Sequence, residues 1–241
     1  MRDDAKTNAG HSSGETLVSW LPTLLQTTDA LFPTGAYAHS LGFEELMRLC
    51  GIRDEAGLRE MVDEHVLPVL MHQELPYLRF AFDAGSGSAL WEIDREISAW
   101  KVPRELREAS IQIGRRRLAA LRAVGDGALY QDFALAIAGG KAAGHHLTVS
   151  AVQALTEGFP LSASLATYVY QSVAGLCSAS LKLIRIGQEG CQRVLRHALA
   201  QTERVVEVSL SVEREDAGWF DPLLEIASMR HEFANERLFI S

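Results

Sequence analysis

Histidine and cysteine are the side chains most able to bind a metal or move a proton near neutrality, and this 241-residue chain holds eight histidines and three cysteines. His145 and His146 adjoin, and His65 and His72 stand seven apart. Adjacent residues on a helix point about 100° apart, so His145 and His146 cannot chelate one ion from regular helix. His65 and His72 share a helix face but lie two turns, about 10 Å, apart, which is too far for one ion without ligands from another helix. Cys50, Cys177 and Cys191 form no Cys-X-X-Cys and suggest neither a disulfide framework nor a four-thiolate zinc site. These groups read as structural or surface histidines and small buried thiols, with Cys50 at a helix end where it is accessible. The alternative is a helical-bundle metal carrier or enzyme in which His39, His145 or His146 ligates an ion or haem in the interior.

Other catalytic grammar is sparse. Gly139-Gly140-Lys141 is followed by Ala142 and lacks both the upstream strand and the Ser/Thr ligand of a phosphate loop. There is no Gly-X-Ser-X-Gly elbow and no His-Glu-X-X-His. A net charge of −8 and a pI near 5.5 argue against nucleic acid or an anionic membrane as the main partner. Arg115-Arg116-Arg117 is too short to reverse that and reads as a solvated helix face.

The densest local pattern is Thr27 to Met47. Pro33 lacks a donor and pushes Phe32 toward extended geometry, so the helix carrying Leu24 and Leu25 stops there. Pro33-Thr34-Gly35 forms a turn, and a new helix starts near Ala36, with Leu41, Glu45 and Leu49 at helical spacing. Tyr37, His39 and Ser40 then crowd a helix start, where backbone N–H groups are unpaired and the dipole is positive.

The rest of the chain supplies elements to hold that stretch. Met1 to Gly14 is polar and reads as a disordered tail, leaving 15–241 as one all-helical domain, with 47% hydrophobic residues overall. Helices are expected over Glu15–Thr28, from Asp54 onward with kinks or breaks at Pro68 and Pro76, around Trp91–Trp100, over Arg104–Val124, Tyr130–Ala138 and from Gly144 to Gly158. Two more follow, Cys191–Val212 and one opened by Gly218-Trp-Phe-Asp-Pro. No period-2 strand pattern occurs, so the class is all-α, a bundle of about nine to ten helices.

Gly158 to Leu181 is free of charge, yet its Ser, Thr and Gln content makes it too polar to span a membrane. It reads as the central buried helix, about 161–186, with Gly187 as a left-handed cap. Lys182 and Arg185 follow at its exit. Leu238, Phe239 and Ile240 end the chain on apolar groups that must fold back or be covered by another protein.

The run Asp29, Phe32, Pro33, Gly35, Tyr37, His39, Ser40, Gly42 and Glu44 resembles the N-terminal signature of the urease accessory protein F family. Lys182 to Gln192 is similar to the family's basic residue and following Gly-Gln block, with Arg185 where many members have proline. His231-Glu232 and Arg237-Leu238-Phe239-Ile240-Ser241 resemble its ending. The resemblance implies a non-catalytic, cytoplasmic accessory protein that joins accessory protein D (also called H) and the GTPase G to load nickel into the urease apoprotein, commonly as a homodimer within the complex. It implies no intrinsic cofactor or metal: nickel is handled by the complex and GTP is bound by the partner. It places Tyr37, His39, Ser40 and Lys182 on a GTPase-facing surface. His231, Glu232, Arg237, Leu238, Phe239, Ile240 and Ser241 fall on a surface for accessory protein D.

Overall fold

The computed structural model describes residues 18–35, 42–231 and 238–239. They form α1 (Leu21–Thr28), α2 (Phe43–Leu49), α3 (Glu55–Met61), α4 (Leu67–Val69), α5 (Leu75–Ala84), α6 (Gly87–Trp100) and α7 (Arg104–Val124). Then come α8 (Ala128–Ala138), α9 (His146–Glu157), α10 (Leu161–Leu183), α11 (Gly187–Leu199), α12 (Thr202–Ser211) and α13 (Pro222–His231). No strand occurs among the described residues, so the all-α class holds.

Segments α3, α4 and α5 run on as one rod, because the two prolines widen it without breaking it. A proline ring lacks its N–H and collides with the carbonyl four residues back. The turn before each proline therefore opens to π geometry, over Val62–Val66 and Leu70–Glu74. Leu67 N–H donates to Val62 O and Leu75 N–H to Leu70 O, each from the residue preceding a proline. Asp54 starts the rod as expected, its Oδ1 accepting from Gly57 N at 3.0 Å.

With that rod counted once, eleven helices remain among the described residues, slightly more than expected. The extra element arises where the expected helix 191–212 stops at Ala200 and restarts at Thr202, as α11 and α12. Gly187 is left-handed, φ 69°, but it opens α11; Ile184, extended, ends α10. The anticipated flexible loop after Phe82 shrinks to Gly85-Ser86, because α6 begins at Gly87.

One large core joins the helices, with Leu46, Leu58, Leu78, Ile97, Tyr130, Leu147, Val152, Leu165 and Val173 fully buried. Side chains of this size each contribute roughly 1.5–3 kcal/mol on burial. Within the core, α10 packs on α2, α5, α9, α11 and α12, yet Ser162, Tyr170, Gly175, Ser178 and Leu181 leave one edge in solvent. The more enclosed helix is the shorter α9, where Leu147, Thr148, Val149, Ala151, Val152, Gln153 and Ala154 are all buried. Lack of charge marked α10 well, but small neutral residues suit an exposed edge as easily as a close contact.

Gly114 explains how α7 lies so near α9. A Cβ there would collide with Gly144 O and the following peptide, so only glycine permits this crossing.

Candidate functional site

Three sequence blocks far apart in the chain meet around α2 and α13. Gly42, at φ 83°, starts α2, and a Cβ on it would strike Ser228 Oγ on α13, so the two helices touch almost backbone to backbone. Glu45 points inward at 3% exposure, gripped by Arg48 at 2.7 Å and by Arg230 at 3.2 Å. The Arg48 hydrogen bonds hold its carboxyl below the usual carboxylate range.

Beside it, His231 is 1% exposed and lies between two acids: Nδ1 is 2.8 Å from Glu105 Oε2, and Nε2 is 3.2 Å from Glu44 Oε2. Glu44 then reaches outward, accepting from Leu238 N at 3.1 Å and Phe239 N at 3.3 Å. Phe239 is buried under Lys182, whose Nζ sits 5.0 Å from the ring centroid. His231 thus ties α2, α7 and α13 together, and Glu44 passes that tie on to the chain end.

A strap from Val212 to Asp221 seats α13, and the two π-turns are what it rests on. From the first turn, His65 Nδ1 lies 2.5 Å from Asp221 Oδ2, while Asp221 Oδ1 caps α13 by accepting from Leu223 N and Leu224 N at 3.0 and 3.1 Å. From the second, His72 stacks on Trp219 with centroids 5.2 Å apart, and its carbonyl accepts from Gly218 N at 2.9 Å. Arg79 donates to Val212 O, and Arg214 pairs with Glu96.

So seated, α13 buries Ala227, Ser228 and His231 and turns Leu223, Ile226 and Met229 outward, each close to half exposed. Phe220, 76% exposed, extends this apolar row. A groove of about 510 Å³ runs beside it, lined by Trp100, Val102, Trp219, Phe220, Ile226 and Met229. Burial raises the Glu225 carboxyl at its edge, and Trp100 Nε1 there is enclosed without a partner.

The interior of α6, α7 and α9 carries a second polar cluster whose hydrogen bonds stay within the fold, with His146 Nε2 and Thr148 Oγ1 on α9 buried beside it without a partner. Asp94, fully buried, accepts from the N–H groups of Ala143, Gly144 and His145 at 2.5, 3.0 and 2.9 Å. His145 Nε2 is 2.7 Å from Ser98 Oγ and Nδ1 3.1 Å from Ser110 Oγ. Arg117 lies buried with two bonds to Gln153 Oε1 at 2.9 and 2.6 Å; Gln153 in turn donates to Thr27 Oγ1 at 2.8 Å. The same guanidinium lies over Phe32. Burial lowers Arg117 to about 10, His145 to about 4 and His146 to about 3.

The arginine triplet is therefore not a uniformly solvated face. Arg117 points into the core, Arg115 Nε donates to Ala143 O at 2.9 Å, and Arg116 lies against Gly35. His145 and His146 diverge, one to the serines and the other to the Tyr168 ring at 5.4 Å. Among the described residues no three His, Cys, Asp or Glu side chains stand together as a metal set. Cys177 and Cys191 are buried, each thiol directed at the other's carbonyl, and burial pushes Cys177 up to about 12; Cys50 is exposed.

Of the site residues inferred from sequence, the structure brings Lys182, His231, Leu238 and Phe239 together on one patch, although they were assigned to two surfaces. His231 is enclosed, and it reaches the surface through Glu44. Tyr37, His39, Ser40, Glu232, Arg237, Ile240 and Ser241 lie outside the described residues, as does the helix start expected near Ala36. Sequence reasoning missed Glu105, Asp221 and Arg117. Asp221 had a visible signal, an acid just before Pro222 at a helix start; Glu105 and Arg117 had none, because their partners lie far along the chain.

The family model described as UreF matches residues 52–199. The urease accessory protein UreF of Arthrobacter sp. strain FB24 is 35% identical over 92% of this chain and 98% of its own length. Those of Paenarthrobacter aurescens TC1 and Kocuria rhizophila are 34% and 31% identical, each over 90% of this chain and over 96% and 95% of their own lengths. No described helix is long and apolar enough to cross a membrane.

Proposed function

Since the chain belongs to the UreF family of urease accessory proteins, we propose that it serves urease maturation as a non-catalytic scaffold, joining accessory protein D (or H) and the GTPase G. On this reading nickel is the cargo of the assembly and GTP is held by the partner. The carrying observation is the clustering of the signature helix, Lys182, His231 and the chain end beside an apolar row on α13. A row of Leu, Ile, Met and Phe at this exposure is the kind of surface that a partner covers. The polar interior supports the same reading, because His145 is held between two serine hydroxyls, while His146 lies enclosed against a tyrosine ring with its Nε2 unpartnered.

Accessory protein D is expected to dock on α13 and the end of the chain, and the GTPase on the face around Lys182. Co-expression with both partners tests this. Deleting residues 237–241, or changing Leu223, Ile226 and Met229 together to Asn, is expected to abolish co-purification with accessory protein D. Full recovery of the complex in both variants would overturn the proposal. GTP turnover by the isolated chain would do so as well.

A further inference from the structure

The second half of helix α7 carries a positive stretch. Between Glu108 and Asp126 the chain has no acid but four arginines, in a protein of net charge −8. Arg117 goes inward; Arg115, Arg116 and Arg122 are exposed. Among the described residues Arg48, Arg59, Arg193, Arg214 and Arg230 each reach a carboxylate. Arg115, Arg116 and Arg122 do not, and in this they join Arg79 and Arg107, which reach only carbonyls; what sets the three apart is that they are exposed and grouped on one helix. Arg115 Nε is fixed by the neutral Ala143 O, and Arg122 Nε and Nη2 share Gln131 Oε1 on α8 at 3.0 and 2.7 Å. Arg116 lies against Gly35, two residues after Pro33.

These guanidiniums are oriented by neutral oxygens yet keep their charge and their remaining donors, as arginines do when preorganised for a carboxylate. Arg115 and Arg122 are two turns apart on one side of α7, about 10 Å. Leu135, 71% exposed, stands one turn beyond Gln131 on α8 and adds an apolar contact at the edge. We propose that the outer face of α7, with the adjoining Pro33–Gly35 segment and Leu135, docks a carboxylate-rich surface of a partner protein. Its sign is opposite to that of the whole chain, so an acidic partner is repelled elsewhere and steered to this face. A nucleic acid fits less well: three charges over about 10 Å, set in an acidic protein, give little counterion release. This face is built from other residues than the α13 row, so it adds a second docking surface; the scaffold reading supplies only the identity of the partner.

The full-length chain is compared with R115E/R116E/R122E and the milder R115Q/R116Q/R122Q for binding to the two accessory partners, to a poly-Glu peptide and to a single-stranded oligonucleotide of equal charge. The wild type is expected to bind one accessory partner and the peptide in a salt-sensitive manner. The Glu variant should weaken both by roughly tenfold or more, and the Gln variant by less, while co-purification through α13 persists. Should the Glu variant fail to fold, the Gln variant decides alone. Unchanged affinity and salt dependence in the folded variants, or tighter binding of the oligonucleotide than of the peptide, would overturn the inference. If wild type and variants alike bind neither accessory partner, the scaffold reading fails, and the peptide still decides this face: selective binding by wild type upholds it, and no binding ends it.

Discussion

The polar interior around Asp94 and Arg117 and the polar clamps around α13 use similar chemistry to opposite ends. In the interior, Asp94 accepts three backbone N–H groups and Arg117 rests on Gln153, and the cluster ends in Thr27 and two serines, all within the fold. At α13, His65, His72 and His231 clamp the inner face just as firmly, yet the helix they hold turns Leu223, Ile226 and Met229 to solvent. One region is finished, and the other is anchored so that it can present something. Stability should reside in the first and assembly in the second.

The sharpest way to break that contrast is Gln153→Leu, which leaves a buried guanidinium with no acceptor. It is expected to cost about 3–5 kcal/mol in urea denaturation, whereas Arg117→Met, which removes the charge itself, should cost far less. Equal losses would mean that the guanidinium is not enclosed. Next, His231→Leu should cost roughly 1.5–3 kcal/mol, leaving Glu44 and Glu105 without their shared partner. It should also raise protease sensitivity near residue 238 before any change at α9, and uniform sensitivity would erase the distinction between the regions.

Acid offers a third test. His145 and His146 sit near 4 and 3, below the ordinary value of about 6.5, so the unfolded chain takes up protons first. The stability they confer is complete above about pH 6.5 and is lost as pH falls toward 4, by at most about 1.4 kcal/mol per pH unit for each ring. His146→Phe, which keeps a ring against Tyr168, should flatten the curve between pH 6.5 and 4.5; an unaltered slope would show that ring to be solvated. The smallest expected effect is the most informative for assembly. Leu223→Asn with Ile226→Asn and Met229→Asn should shift folding stability by no more than about 0.5 kcal/mol per site. A large loss of stability would show that these side chains belong to the core.

Local grammar made much of the fold legible: Asp54 at its cap, Gly158 ending α9, and the end of α1 before Pro33, although the turn there spans Asp29–Phe32 and not Pro33–Gly35. What stayed hidden depends on partners distant in sequence. His65 and His72 share a helix face in sequence, but nothing nearby shows that both serve residues 218–221. The triplet at Arg115 gave three charges and no hint that each faces a different neighbour. For the patch around α2 and α13, the signature and the chain ending were readable as separate blocks. Their meeting through Glu44 and His231 required the crossing of α2 and α13, which Gly42 and Ser228 set.

The two widened turns before Pro68 and Pro76 carry a consequence for tolerated change. Each holds one residue more than an α-turn, and that residue keeps the proline ring off the carbonyl four positions back. Deleting one residue from either turn would leave side chains beyond it in nearly the same phase but would bring the ring and that carbonyl together again. Shortening a turn while changing its proline to alanine should therefore be tolerated better than shortening it alone, because the turn can then close as ordinary helix. The seat of α13 is thus written partly as a count of residues.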